Sequence, residues 1–244
     1  MPDPQPRVLI ALATYNERDN VAPLVQEIRG TVPGADVLIM DDNSPDGTGT
    51  LADTLAAADP QVHVIHRPGK LGLGTALLDV MRHAMHENYD FLITMDADFS
   101  HQPRYLPALL AGMDQADVMI GSRYVPGGGV ENWPWSRQLM SRWTGRLVWA
   151  MLHLPVRDSS GNYRCYRVAL LKRANLGNFL SHGYSFQQEA LHRCHRAGAR
   201  FGETPIIFTE RRSGRSKANL AEITRSLTTL VRLGWRARCG KSSP

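Results

Sequence analysis

Phe91-Leu92-Ile93-Thr94-Met95-Asp96-Ala97-Asp98 is the stretch on which the reading of this chain turns. Its apolar run reads as a buried strand, and the carboxyl end of that strand delivers two carboxylates to a sheet edge. Two like charges there repel one another and lose hydration unless something neutralises them. A hard divalent cation that also carries phosphate oxygens does so, because Mg2+ takes one or two carboxylates together with substrate phosphates. The competing reading of Asp-x-Asp is a turn of small acidic residues, so the surrounding sequence has to decide.

Working outward, residues 8–13, 37–40, 62–66 and 118–121 are further compact apolar runs, each reading as a strand. Between them, residues 20–29, 48–58, 75–86 and 103–113 carry helical periodicity, as at Val21, Leu24, Val25 and Ile28. Strands alternating with helices of this length predict an α/β fold, a mostly parallel sheet flanked by helices. In such sheets ligands sit beyond the carboxyl ends of the strands. Five polar loops fall there: Thr14-Tyr15-Asn16-Glu17, Asp41 to Thr48, Arg67 to Gly74, Asp96-Ala97-Asp98, and Gly121-Ser122-Arg123-Tyr124. Their convergence on one edge is the strongest functional signal in the sequence.

Each loop has its own chemistry. Tyr15 suits stacking on a base, Glu17 suits accepting from ring nitrogens or a ribose hydroxyl, and Asp42 is placed to hold ribose or base. Asp46-Gly47-Thr48 reads as a turn into a helix, so Asp46 is either a ligand or a cap. Lys70 among glycines resembles a phosphate-cradling loop, yet the spacing is neither a P-loop nor a dinucleotide fingerprint.

At 244 residues, with 43% apolar and 21% charged residues, the chain is long enough for a large α/β domain and is not of disordered composition. A formal charge of +5 suggests a phosphate-bearing partner. Cys165, Cys194 and Cys239 are an odd set at no metal-ligand spacing, which argues for free thiols in a reducing compartment. A helix would point His192, Cys194 and His195 in different directions, against a zinc site. The polar, Pro-rich start carries no signal-peptide pattern, and no stretch approaches the roughly 18 apolar residues of a membrane span.

The second half is less regular. Gly127-Gly128-Gly129 reads as a flexible loop. Residues 136–153 read as a helix on which Arg142 and Arg146 lie a turn apart among Trp143 and Trp149, suiting either a membrane interface or a surface packed on the sheet. Asp158 to Arg164 reads as a polar turn leading to Arg167, Ser185-Phe186-Gln187-Gln188-Glu189 opens a helix, and residues 204–209 read as a strand. Glu210 to Lys217 holds four cations around Gly214, suiting either a pyrophosphate or solvent. Residues 220–238 read as a basic amphipathic helix with Trp235, able to lie on lipid or pack on the core.

These motifs, taken in order from residue 7 to about 225, resemble the polyprenol-phosphate mannosyltransferases, the dolichol-phosphate mannose synthases. These are inverting family-2 glycosyltransferases with the GT-A fold. The resemblance implies a single domain over residues 1–244, with a nucleotide-binding half (1–120), an acceptor-binding half (121–219) and the amphipathic helix. It implies that Tyr15, Glu17 and Asp42 hold the nucleoside of GDP-mannose, with Ala13, Asp46, Lys70 and Ala97 in the same donor site. Asp96 and Asp98 would hold Mg2+ or Mn2+ on the diphosphate, with Ser100 near the metal. Arg211 and Lys217 would contact the donor phosphates. Arg123, Arg137 and Ser141 would bind the phosphate of a polyprenyl or dolichyl acceptor, and Asp98, Arg123 and Arg137 would carry catalysis. The nucleophile would be an anionic phosphate oxygen, needing alignment and charge neutralisation rather than a strong base. The protein would work at the cytoplasmic face of a membrane, docking by its own amphipathic surface or through a small anchoring partner. Two departures stand out: Ala13 replaces a common Pro, and Ser160-Gly161-Asn162-Tyr163-Arg164 replaces Ser-Gly-Phe-Arg, which puts the role of Arg164 in question. UDP-glucose as donor, a soluble glycan or protein as acceptor, and a catalytically silent binding module are the alternatives. Without a recognition-helix or stacking-sheet motif, nucleic acid is not an expected partner.

Overall fold

The computed structural model describes residues 5–177, 179, 181, 183 and 185–209. In chain order the elements are β1 (Val8–Thr14), α1 (Arg18–Thr31), β2 (Asp36–Asp41), α2 (Thr48–Ala58), β3 (Val62–His66), α3 (Leu73–His86), β4 (Phe91–Asp96), α4 (Leu106–Ala111), β5 (Val118–Ser122) and β6 (Gly129–Val130). There follow α5 (Trp135–Leu152), β7 (Arg164–Arg167), α6 (Val168–Arg173), α7 (Phe186–Arg196), β8 (Phe201–Pro205) and β9 (Ile207–Phe208). Seven strands form one sheet in the order β3-β2-β1-β4-β7-β5-β8, and β6 pairs with β9 in a small second sheet.

The main sheet is parallel except for β7, which runs antiparallel to both β4 and β5. The carboxyl ends of β1 to β5 therefore share one edge, as the alternation of strands and helices predicts. Register aligns them closely: Ala13 pairs with Met40 and with Asp96, and Thr14 pairs with Asp41. Alternation along the strands feeds two apolar layers. Leu9, Ala11, Leu38, Met40 and Leu92 face one, against α3, α6 and α7. Ile10, Leu12, Val37, Ile39, Ile93 and Met95 face the other, against α1 and α4. Each fully buried aliphatic side chain contributes about 1.5–3 kcal/mol, so both layers hold the strand ends in place.

Four sequence expectations need correction. The helix over 103–113 is broken into 3-10, α and 3-10 pieces; Pro107 lacks the N–H that an unbroken helix would donate to Pro103 O. The strand over 204–209 is two strands in different sheets. Pro205 ends β8, and buried Ile206 joins both sheets by donating to Ser122 O and accepting from Gly129 N. The polar turn over 158–164 ends instead in β7, whose Arg164 and Arg167 mask its strand character. Gly128 is no loose linker, since a Cβ there would lie 2.5 Å from Ser122 O; the close approach lets Gly129 enter β6. Residues 220–238 and the basic residues from Arg211 to Lys217 lie outside the described residues.

Candidate active site

The first two loops are stitched to each other. Three consecutive N–H groups at the start of α1 donate to side chains of the β2–α2 loop: Asn16 to Ser44 Oγ (3.0 Å), Glu17 to Thr48 Oγ1 (3.0 Å) and Arg18 to Asp46 Oδ2 (3.2 Å). Arg18 opens the helix, whose first N–H groups lack intrahelical partners, and here Asp46 supplies its acceptor. Asp46 also accepts from Thr48 N and Oγ1. Burial pushes its carboxyl up, but these donors outweigh burial and hold its pKa below the usual carboxylate range. Asp46 is thus placed as the knot of the turn.

Asp42, buried, gives one oxygen to the Arg67 guanidinium and the other to Leu71 N and Gly72 N, both at 3.1 Å. Gly72 has φ +95°, a conformation that strains any side chain, and α3 begins directly after it. Asp42 accordingly shapes the glycine-rich loop. Lys70 on that loop reaches back over the Tyr15 ring, 4.2 Å from its centre. Tyr15, Asp42 and Lys70, widely spaced in sequence, are brought together with Asp41, which accepts from Thr14 Oγ1 and Ser44.

At the end of β4, Asp96 and Asp98 are in different states. Asp96 is partly exposed; its Oδ1 accepts from Asn162 Nδ2 at 3.0 Å. Asp98 is buried and its Oδ1 accepts from Ser100 N (3.1 Å) and Ser100 Oγ (2.5 Å). Ser100 therefore lies against the carboxylate and orients it. Between them the backbone passes through Phe99 at φ +63°, a strained conformation for a bulky residue, and such strain clusters at functional sites. His101 is buried, and burial lowers its pKa against the pull of Asp96 and Asp98. Its Nδ1 accepts the Asp96 N–H at 3.1 Å and lies 3.5 Å from Asp96 Oδ2, and the ring stacks on Tyr163. Among the described residues no group of three or more His, Cys, Asp or Glu side chains comes together as a metal cage. A cation held by Asp96 and Asp98 would thus need oxygens from elsewhere, which is how Mg2+ is bound with substrate phosphates.

Beyond β7, Arg123 leaves β5 into a buried ion pair. Its Nε and Nη2 donate to Asp158 Oδ2 and Oδ1, both at 2.7 Å, and Nη2 also reaches Ser160 Oγ at 2.8 Å. Burial would raise the Asp158 pKa, but Arg123 outweighs it and the carboxyl stays below its ordinary value. Arg123 lies 5.7 Å and Arg137 3.9 Å from the centre of the Trp133 ring, and Ser141 Oγ is 2.6 Å from Tyr124 Oη. The three residues expected at an acceptor phosphate are thus gathered around Trp133 and Tyr124. Asp158 escaped the sequence reading; the available signal was that an arginine ending an apolar strand needs an acid partner. Arg164 is fully buried and holds backbone carbonyls, donating to Gln187 O and Ser159 O, both at 2.8 Å. It has a structural post, tying the turn that carries Asp158 and Ser160 to the first turn of α7.

From this site α5 runs outward with one face unburied. Trp135, Leu139, Met140, Trp143, Leu147 and Trp149 are all exposed, while Val148 and Leu152 pack inward. Arg142 and Arg146 fall within the exposed arc, and no acidic residue interrupts it. Among the described residues no helix is long and apolar enough to cross a membrane.

Comparison with known proteins fits this architecture. The glycosyl transferase family 2 profile matches residues 9–174. The chain is 45% identical over 233 residues to undecaprenyl-phosphate mannosyltransferase of Micrococcus luteus, covering 95% of this chain and 96% of that protein. It is 41% identical over 241 residues to polyprenol monophosphomannose synthase of Mycolicibacterium smegmatis, covering 98% and 91%. Among solved structures, glucosyl-3-phosphoglycerate synthase from Mycobacterium tuberculosis, in complex with Mn2+, UDP and its product, aligns with TM-score 0.66 at 17% identity, covering 98% of this chain and 82% of that one. A mannosyltransferase from Pyrobaculum calidifontis, in complex with GDP-Man and Mn2+, aligns with TM-score 0.64 at 18% identity, covering 100% and 67%. Those two likenesses concern the fold, which is GT-A. With five polar loops on one sheet edge and relatives matching nearly end to end, the chain belongs to glycosyl transferase family 2, among its polyprenol-phosphate mannosyltransferases.

Proposed function

We propose that this protein transfers mannose from GDP-mannose to the phosphate of a polyprenol at a membrane surface, with Mg2+ or Mn2+ on the donor diphosphate. The observation that carries the reading is the division of one sheet edge into an acidic station, Asp96 and Asp98, and a cationic aromatic station, Arg123 and Arg137 on Trp133. A sugar nucleotide presents a diphosphate to the first, and a lipid phosphate presents an anion to the second. The relatives' names support mannose and polyprenyl phosphate as the two substrates, and the GDP-Man complex of a protein of the same fold supports the donor.

The residues fit the cation: two oxygen donors at a strand end, one partly exposed, with too few protein ligands to complete a shell alone. Bound there, the cation would neutralise charge developing on the departing diphosphate. Tyr15, Glu17, Asp42, Asp46 and Lys70 form or shape the wall for the nucleoside, beside Ala13 and Ala97. Arg211 and Lys217 remain assigned to the donor phosphates from the sequence. Arg123, locked by Asp158, and Arg137, stacked on Trp133, hold the acceptor phosphate so that its oxygen faces the sugar carbon opposite the leaving group. Such alignment, with charge neutralisation at the leaving group, is what accelerates transfer when the nucleophile is already anionic. The exposed tryptophans of α5, interleaved with arginines, meet the headgroup layer from which the acceptor comes. An assay of purified protein with Mg2+, GDP-mannose and a short polyprenyl phosphate should yield a lipid-linked mannose. Incorporation from UDP-glucose with none from GDP-mannose would overturn the donor, and mannose on a water-soluble acceptor alone would overturn the lipid.

A further inference from the structure

Asp96 is positioned from behind. Because β7 is antiparallel to β4 with Thr94 paired to Arg164, the residue two before Arg164 falls opposite the residue two after Thr94. These are Asn162 and Asp96, and Asn162 Nδ2 donates to Asp96 Oδ1 at 3.0 Å. The other side of the Asn162 amide is also engaged: Oδ1 accepts from Gln187 Nε2, on the first turn of α7, at 2.6 Å. Asn162 and Gln187 are both buried. Their backbones are held independently, Asn162 O by Thr94 Oγ1 and Gln187 O by Arg164 Nη1, each at 2.8 Å. Two primary amides in a line have one consistent orientation here. Gln187 donates, so Asn162 must present its own N–H pair to the carboxylate.

We infer that Gln187 and Asn162 form a relay that sets the orientation of Asp96, so that Oδ1 is held and Oδ2 is the oxygen left for a cation on the donor diphosphate. The relay rests on the reading of Asp96 as a metal ligand given above. His101 Nδ1 lies 3.5 Å from Asp96 Oδ2 but does not duplicate the relay, since that nitrogen already accepts the Asp96 N–H at 3.1 Å and so has no proton to give the carboxylate. Partners that hydrogen-bond a ligating carboxylate fix its direction, and losing one weakens metal binding by about 10- to 100-fold. Gln187 and Asn162 are positioning residues, because neither faces the substrate directly. Gln187 would act only through Asn162, and that dependence separates the relay from ordinary packing between β7 and α7.

The test is Mn2+ binding followed by electron paramagnetic resonance, with GDP in one arm and UDP in the other, on the full chain. Asn162→Ala should weaken Mn2+ about tenfold, while turnover at saturating Mn2+ returns toward the wild-type rate. Gln187→Met, nearly isosteric but without the donor, should weaken Mn2+ by a smaller factor. The double variant should match Asn162→Ala alone, since effects through a shared partner do not add. Gln187→Glu, an acceptor, should turn the Asn162 amide round and be worse than Gln187→Met. Unchanged Mn2+ affinity in Asn162→Ala, or additive losses in the double variant, would overturn the relay while leaving the metal site standing. If Asn162→Ala does not fold, wild-type affinity in Gln187→Met overturns the relay by itself. Wild-type protein that takes up no Mn2+ with either nucleotide would overturn the metal reading and the relay with it.

Discussion

The loops after β1 and β2 and the segment from Arg123 to Ser141 both bring polar side chains to one sheet edge, yet they satisfy them by different means. On the first side Asp41, Asp42, Ser44, Asp46 and Thr48 are bonded to one another's loops and to the start of α1. On the second side one cation is locked by Asp158 and another lies on Trp133, and the chain then runs into a helix whose aromatic face is bare. A mesh of short hydrogen bonds holds its shape before any ligand arrives, which suits a small flexible ligand that must be held in one conformation. Cations stacked on rings beside an unburied apolar face suit a phosphate that arrives on a long lipid. The difference is between a preformed cup and an open shore.

Asp98→Asn should give the largest effect. Removing one of the two carboxylates should cost several kcal/mol of transition-state stabilisation, a loss of about a thousandfold in transfer, with the circular dichroism of the folded protein kept. Wild-type turnover in that variant would erase the acidic station. Asp158→Asn tests the opposite side through stability: Arg123 would be left buried without its partner, at about 3 kcal/mol or more on urea unfolding. The same ion pair sets an acid limit. Because the folded pKa of Asp158 is depressed, its contribution is complete above the unfolded carboxylate value near ~4 and is lost as pH falls below it. Melting temperatures of wild type and Asp158→Asn should therefore converge on acidification.

Replacing Trp143 by Ser should weaken binding to anionic vesicles by about tenfold, from the burial of one large side chain, and leave the melting temperature in place because that ring is exposed. Equal vesicle binding in the single variant and in one that also lacks Trp135 and Trp149 would break the open-face half of the comparison. The smallest effect belongs to Asp117, outside both stations. It pairs with Arg200 and Arg167, and hydrogen bonds from Arg200 draw its pKa down to about 2. Both arginines are at least partly solvent-exposed, so Asp117→Asn should remove no more than about 1 kcal/mol and leave transfer untouched.

Much of this was legible beforehand, for local reasons. Runs such as residues 8–13 and 91–95 declare strands because burial on both sheet faces requires unbroken apolar character. The helices between them show their period, and the carboxylates after β4 stand out because nothing local neutralises them. β7 was hidden by Arg164 and Arg167, charges that a strand buried on both sides carries only when the fold supplies partners. Asp42 shows the converse, since its position after a strand was legible but its pairing with Arg67 and the glycine-rich loop was not.

The chemistry on offer was therefore a property of the sequence: a parallel sheet, five polar loops on one edge, two carboxylates and a set of cations. Tertiary structure alone decided which groups are paired. Arg123 found Asp158 35 residues away, and Asp96 found Asn162 66 residues away through an antiparallel strand inserted between β4 and β5. Spacing along the chain encodes periodicity within an element, whereas register between distant strands is settled only when both sheet faces pack, and that register chose the partners.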